Sequence, residues 1–247
     1  MLVDDVRTLL AGDTKTADLL GLDAFDDFPA LLGALFSVLC AEAVGRIVAK
    51  TYRETPAILA ATERDIAETA RRNFEPGGPA AVLLFSRGVH ATIAHRAAHT
   101  LWHNGDRTAA MAVKAASGRA FATDIHPAAQ IGAGFWLDHG LGFVAGETTV
   151  IGKDVSIWHN VTLGSTFNNS GADRHPKIED GAIIGAGALV LGGITIGAGA
   201  NIGAGAIVLE DVPAGRVVVG TKARDTGQAR VSFLGKEQGE RKKEQGT

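Results

Sequence analysis

Three short segments carry side chains that can move a proton or grip an amino acid: Asp124-Ile125-His126-Pro127, Leu137-Asp138-His139-Gly140 and Asp173-Arg174-His175-Pro176. An imidazole held in one tautomer by a carboxylate is a competent general base toward a hydroxyl. Asp124 and His139 lie fifteen residues apart. If the chain winds in coils of three short strands, they are expected to lie near each other on neighbouring coils. Taken alone, such a pair is a weak signal and more often a polar corner histidine with a capping aspartate. His126 and His159 read as structural corners of that kind. His90, His95, His99 and His103 recur along one stretch, a spacing that could present a metal face. No acidic or cysteine ligand completes a set, so they read as a packed helix face with no metal.

The elements that must position these groups follow from a change of period. From Ile125 onward aliphatic residues recur every six positions: Ile125, Ile131 and Leu137, then Ile151, Ile157 and Leu163, then Ile178, Ile184, Val190, Ile196, Ile202 and Val208. Small residues often follow four places later, as at Ala188, Ala200 and Ala206. Neither a helix nor an alternating strand gives a period of six. It is the signature of a β-helix, in which each hexad is a short strand plus a corner. The aliphatic side chain points inward and stacks on its counterpart one coil away. The register breaks twice, between Leu137 and Ile151 by two residues more than twelve and between Leu163 and Ile178 by three more. Insertions in a solenoid become loops that often carry function, and both breaks adjoin the ionisable segments.

Residues 1–120 read instead as helices. Thr55-Pro56 fits an N-cap followed by proline in the first turn. Asn104-Gly105 fits a stop, with Asp106 capping the next helix. Apolar residues recur at helical spacing between Pro79 and His103 (Val82, Leu83, Val89, Ile93). The expected fold is therefore α+β: a helical domain at 1–120, a β-helix at 121–224 and a flexible tail at 225–247. The 247 residues are 46% hydrophobic and 21% charged, a globular composition, and the net charge of -3 argues against nucleic acid as a partner. The longest apolar run, Ala30 to Ala41, is too short to span a bilayer and suits a core helix. The start Met1-Leu2-Val3-Asp4-Asp5 lacks a basic leader. The expectation is a cytoplasmic protein without membrane contact. The single cysteine, Cys40, sits in apolar sequence and reads as a buried hydrophobe.

The run Asp124-Ile125-His126-Pro127-Ala128-Ala129, then Leu137-Asp138-His139, Gly146-Glu147-Thr148, Val161-Thr162-Leu163-Gly164 and Asp173-Arg174-His175-Pro176-Lys177 resembles the serine acetyltransferases across about residues 80–224. The resemblance implies a left-handed β-helix, a homotrimer or a dimer of trimers, and transfer of acetyl from acetyl-CoA to the L-serine hydroxyl, the activating step toward cysteine. By the same resemblance His139 is the general base and Asp124 orients it. His175 helps position substrate, Arg174 binds the substrate carboxylate and Asp138 faces its ammonium. A backbone amide near Gly164 or Ser165 is expected to meet the oxyanion. The cofactor would contact Gly164, Ser165 and Thr166 and run beside Ala186 and Ala204; Lys222 and Arg224 could meet its phosphates or equally be solvated charges of the tail.

The chain departs from the family pattern in three places. Glu75-Pro76 stands where the family has Asp-Pro, so Glu75 is the candidate for the substrate amine. Gly164-Ser165-Thr166-Phe167-Asn168-Asn169 replaces a Gly-Gly-Thr-Gly-Lys loop, which bears on acceptor identity and cysteine feedback. The end Glu244-Gln245-Gly246-Thr247 lacks the terminal isoleucine that docks into cysteine synthase, so no such docking is expected. Rival readings are an acyltransferase with another amino-acid or hydroxyl acceptor, a zinc lyase of the carbonic anhydrase type on the same fold, and a non-catalytic scaffold.

Overall fold

The computed structural model describes residues 2–22, 24–166, 171 and 173–226. Among them the helices are α1 (Leu2–Ala11), α2 (Thr14–Leu20), α3 (Phe28–Leu39), α4 (Glu42–Glu54), α5 (Pro56–Asn73), α6 (Gly78–Phe85), α7 (Arg87–His103) and α8 (Arg107–Phe121). The strands then follow: β1 (Asp124–Ile125), β2 (Gln130–Ile131), β3 (Trp136–Leu137), β4 (Val144–Ala145), β5 (Val150–Ile151), β6 (Ser156–Ile157), β7 (Thr162–Gly164), β8 (Lys177–Ile178), β9 (Ile183–Ile184), β10 (Leu189–Leu191), β11 (Thr195–Ile196), β12 (Asn201–Ile202), β13 (Ile207–Val208) and β14 (Val217–Val218).

Local sequence accounts for several helix limits. Pro56 opens α5 after Thr55, whose side chain makes no capping bond. Asp106 caps α8 by accepting from the Ala109 amide. The stretch from Pro79 to His103 divides into two helices, because Ser86 is extended and caps α7 by accepting from the Val89 amide. Helix α3 buries Leu31, Leu32, Leu35 and Phe36. Cys40 ends it, half-buried rather than fully enclosed, and burial still pushes its thiol up to about 11. No helix of the described residues is long and apolar enough to cross a membrane.

The strands wind as a left-handed β-helix with three parallel sheets. One sheet stacks β1-β4-β7-β10-β13, the second β2-β5-β8-β11 and the third β3-β6-β9-β12-β14. Left-handed crossovers go against the usual right-handed preference of parallel strands. Strands of two or three residues joined by tight corners make the winding feasible. Of the twelve hexad residues, all are buried except Ile131, which is half-buried. Ala145 fills the interior position between Leu137 and Ile151, where the aliphatic pattern is interrupted. Ala182, Ala188, Ala200 and Ala206 fill the corners.

The register breaks resolve differently from the sequence count. Asp124 pairs with Val144, twenty residues on, so the first coil has two more residues than the eighteen of later coils. Val150 pairs with Lys177, twenty-seven residues on. The second break is therefore one excursion of nine extra residues between β7 and β8, rather than three spread over two hexads. Both its ends stay in the ladder.

A buried clamp holds the helices on the first coil. Asp65 of α5 accepts from the Gly134 amide (2.8 Å), the Phe135 amide (3.0 Å) and Arg96 Nε of α7 (2.7 Å). Arg96 donates in turn to the Ile131 and Gly132 carbonyls. Burial pushes the Asp65 carboxyl up to about 6 against the pull of Arg96 and the two amides. Nearby, Gly88 at the start of α7 lies against the Leu137 carbonyl, where a β-carbon would overlap it.

The α7 histidines are structural here. His90 Nε2 meets the Leu83 carbonyl at 2.7 Å, His99 Nδ1 the Pro127 carbonyl at 2.8 Å, and His103 Nδ1 the His99 carbonyl at 2.9 Å. Burial pushes His90 down to about 4 and His95 well below the ordinary range. Unfolding exposes both rings to protonation near pH 6.5. The stability they contribute is thus complete above 6.5 and lost as pH falls toward 4, at about 1.4 kcal/mol per pH unit for each ring. Urea midpoints measured from pH 7 to 5 should fall, and His90→Gln should flatten that slope. Gly88→Ala should cost about 3 kcal/mol in the same assay at pH 7, because the obstacle is backbone.

Candidate active site

Two clusters form at different corners of the β-helix. The first lies at the corner after β3, where α7 docks. His139 occupies the left-handed region (φ 60) and Gly140 follows it there (φ 76). The turn lifts the His139 side chain outward, leaving it 65% exposed. Its Nε2 lies 3.3 Å from Asp138 Oδ2, and its ring meets His159 of the next coil edge-on at 5.5 Å. Asp138 and His139 line a cleft of about 350 Å³ together with Glu75, Thr69, Ser86 and Arg87. Ser86 and Arg87 bring the N-terminus of α7 to the cleft, an end whose dipole favours negative charge.

This cleft brings together three residues expected from sequence: Glu75, Asp138 and His139. It adds Arg87 and Thr69, which sequence reasoning missed as site residues. The Thr69 hydroxyl is buried without a hydrogen-bond partner. Neither residue carries a local signal, because α5 and α7 reach the cleft only through the packing of the helices on coil one.

Above this cluster runs a column of corners. The Gly187 amide donates to the His159 carbonyl at 3.0 Å, and the Gly205 amide to the Ala186 carbonyl at 2.9 Å. His159, Ala186 and Ala204 thus follow one another up the same edge, with His139 at its foot. Gly185 packs so closely that a β-carbon there would press on the Ala204 amide at 2.6 Å. Above His159 the small residues Ala186 and Ala204 line this edge, so an extended chain can lie along it. Lys222 and Arg224 are exposed past the last strand.

The second cluster occupies the corner after β4. Arg174 Nη2 donates to Glu147 Oε2 at 2.6 Å, which holds the Glu147 carboxyl below its ordinary range. His175 is buried over Gly146, where a β-carbon would collide with the ring. Its Nδ1 accepts from the Thr148 amide at 3.2 Å and faces the Thr148 hydroxyl at 2.9 Å. That hydroxyl accepts from the His175 amide. Nδ1 is therefore an acceptor, and the neutral ring carries its proton on Nε2. Burial first, then Arg174, keeps this imidazole below its ordinary range. His126 of the same corner accepts from the Ala128 amide and packs on Trp102.

The expected contact between Asp124 and His139 is not made within one chain. Asp124 Oδ1 is paired with Lys114 Nζ at 2.5 Å, and the carboxylate beside His139 is Asp138. The cause is coil length. Stacked positions are twenty residues apart here, so a residue fifteen along falls a corner short of Asp124. Gly164 ends β7, its carbonyl accepting from the Gly192 amide at 2.9 Å, and Ser165 and Thr166 lead into the excursion. Phe167, Asn168 and Asn169 lie outside the described residues, as does the tail from residue 227.

Comparison with known proteins agrees with this geometry. The family of bacterial transferase hexapeptide (six repeats) matches residues 175–210. A putative serine acetyltransferase of Schizosaccharomyces pombe is 50% identical over 57% of this chain and 52% of its own, so the chain spans about half the length of that relative. The serine acetyltransferase of Escherichia coli K12 is 44% identical over 77% of this chain and 70% of its own. A crystal structure of a Brucella abortus serine acetyltransferase in complex with coenzyme A superposes with a TM-score of 0.81 at 33% identity, covering 94% of this chain and 95% of that one. Helices that dock on a hexad-built coil, a carboxylate-backed imidazole at the foot of a small-residue edge and a 44% identical relative covered over most of its length together place the chain in the serine acetyltransferase family.

Proposed function

We propose that this chain transfers acetyl from acetyl-CoA to the L-serine hydroxyl, giving O-acetyl-L-serine and CoA, with His139 as general base. What carries the reading is the imidazole backed by Asp138 at 3.3 Å in a cleft that also holds Glu75 and Arg87. A serine hydroxyl attacks a thioester only as a base removes its proton. His139 takes that proton, the hydroxyl oxygen bonds to the acetyl carbon, and the carbonyl electrons move onto oxygen. When the tetrahedral intermediate collapses the C–S bond breaks, and the imidazolium returns its proton to the sulfur. Transfer is direct, without an enzyme nucleophile, since the sole thiol is Cys40 at the end of α3.

Asp138 and Glu75 supply negative charge for the substrate ammonium, and Arg174 a guanidinium fork for its carboxylate. His175, whose ring lies over Gly146 with its proton on Nε2, positions the substrate as a hydrogen-bond donor. The Gly164–Ser165 backbone offers an amide to the oxyanion. The pantetheine arm lies along the Ala186–Ala204 edge, its thioester toward His139, with Gly164, Ser165 and Thr166 of the neighbouring copy beside it and Lys222 and Arg224 toward its phosphates. In this division residues 1–120 brace the cleft and 121–224 carry the chemistry.

The two clusters sit at different corners of one chain, and in this reading the site is completed between copies in a homotrimer or a dimer of trimers. His139 and Asp138 come from one copy, Arg174, His175 and Asp124 from its neighbour. Ile207, Leu209, Val217 and Val219 are exposed on the upper coils, apolar surface that fits contact with further copies. The product makes this the step that activates serine toward cysteine.

Thiol release with acetyl-CoA and L-serine tests the chemistry. His139→Ala should lower kcat by about 100-fold or more while far-UV circular dichroism is unchanged; near-normal turnover would remove His139 from the mechanism. Mixing His139→Ala with His175→Ala chains and refolding them together tests the shared site. If neighbours combine in a closed ring, about a quarter of wild-type turnover should return, whereas a site contained in one chain would return none.

A further inference from the structure

The partner that Asp124 does have is Lys114, a residue that neither the sequence pattern nor the proposed chemistry uses. Lys114 sits on α8 beside the buried stripe of Val113 and Ser117. Its stem borders a small cavity of about 10 Å³ with His95, Ala98, Thr123 and Ile125. The lysine side chain is only 23% exposed, whereas that of Asp124 is 61% exposed. Its ammonium therefore leaves a packed stem in a fixed direction and meets Asp124 Oδ1 at 2.5 Å.

A surface ion pair between two free side chains contributes little, because both must be ordered to make it. Here one member is already ordered by packing, so the cost falls on Asp124 alone. His126, on the same corner as Asp124, feels Glu147, Lys114, Asp124 and Arg174, and His175 beyond it feels Arg174, Glu147 and Lys177. Arg174 is engaged by Glu147, and Lys177 by Asp173. Among the described residues, Lys114 is the cation that the structure pairs with Asp124.

We propose that Lys114 is a positioning residue for acyl transfer: its ammonium fixes the Asp124 carboxylate in one orientation, leaving the second oxygen free to meet an imidazole across the shared site. Lys114 touches no substrate and acts through Asp124. The inference rests on the reading of Asp124 as the carboxylate that orients an imidazole.

A double-mutant cycle on the full chain separates the two. Steady-state rates with acetyl-CoA and L-serine are measured for Lys114→Met, Lys114→Arg, Asp124→Asn and the Met/Asn double variant, with thermal unfolding alongside. Lys114→Met should lower kcat by about tenfold, each KM staying within about twofold, and the double variant should be no slower than Asp124→Asn alone. Lys114→Arg should restore most of kcat, since it keeps the charge and the reach. An impaired Asp124→Asn beside a fully active Lys114→Met overturns the role of Lys114 and leaves that of Asp124 standing. Losses that simply add, or a Lys114→Met loss that follows falling thermal stability and is not rescued by arginine, also overturn it. A fully active Asp124→Asn overturns the reading of Asp124 and, with it, this inference.

Discussion

Asp65 and Arg96 sit at the seam between two kinds of structure, and each spends its polar atoms on backbone of the other side. The carboxylate takes two amides of the first coil and the guanidinium two carbonyls of the same turn. Removing either partner would leave a buried charge uncompensated, which costs far more than the pair itself contributes. The clamp fixes the height of α5 and α7 on the coil. That height brings the N-terminus of α7 under Asp138 and His139 and the end of α5 beside Glu75. The cleft is thus a product of the seam rather than of either half alone.

Gly88, Gly140 and Gly146 are the local conditions of the same arrangement. Gly88 allows α7 to touch the Leu137 carbonyl, and Gly140 lies against Gly88 in a left-handed turn. Gly146 leaves room for the buried ring of His175. At Gly88 backbone, and at Gly146 a ring, stands where a β-carbon would be. The reactive groups are set by close approach, which packed interiors transmit without slack.

The β-helix could be read from sequence because its cause is local and repeated. One aliphatic residue per hexad must turn inward, and eleven of the twelve are fully buried. The helical half was legible in type, and the caps at Pro56 and Asp106 follow from their own side chains. The division at Ser86 escaped notice because apolar spacing continues across it; only the serine hydroxyl meeting the Val89 amide breaks the run. The site was legible in its residues but not in its contacts. Glu75, Asp138 and His139 do line one cleft. Asp124 and His139 do not meet in one chain, because a twenty-residue coil moves the fifteenth residue a corner away from the position a shorter pitch implies. Lys114, Arg87 and Thr69 could not be found by motif, since only the docking of helices on the coil brings them to these places.

The nine-residue excursion between β7 and β8 leaves and rejoins the ladder without disturbing the strands above and below it. Stacking energy in such a solenoid is shared between neighbouring coils, so the length and composition of this segment are nearly decoupled from folding. Arg174 and His175 stand at its far end, in the cluster read as gripping the acceptor. A lineage can therefore insert, delete or rewrite residues there while the coils above and below keep their register. Under the proposed function, acceptor choice could then vary while the coils keep their register.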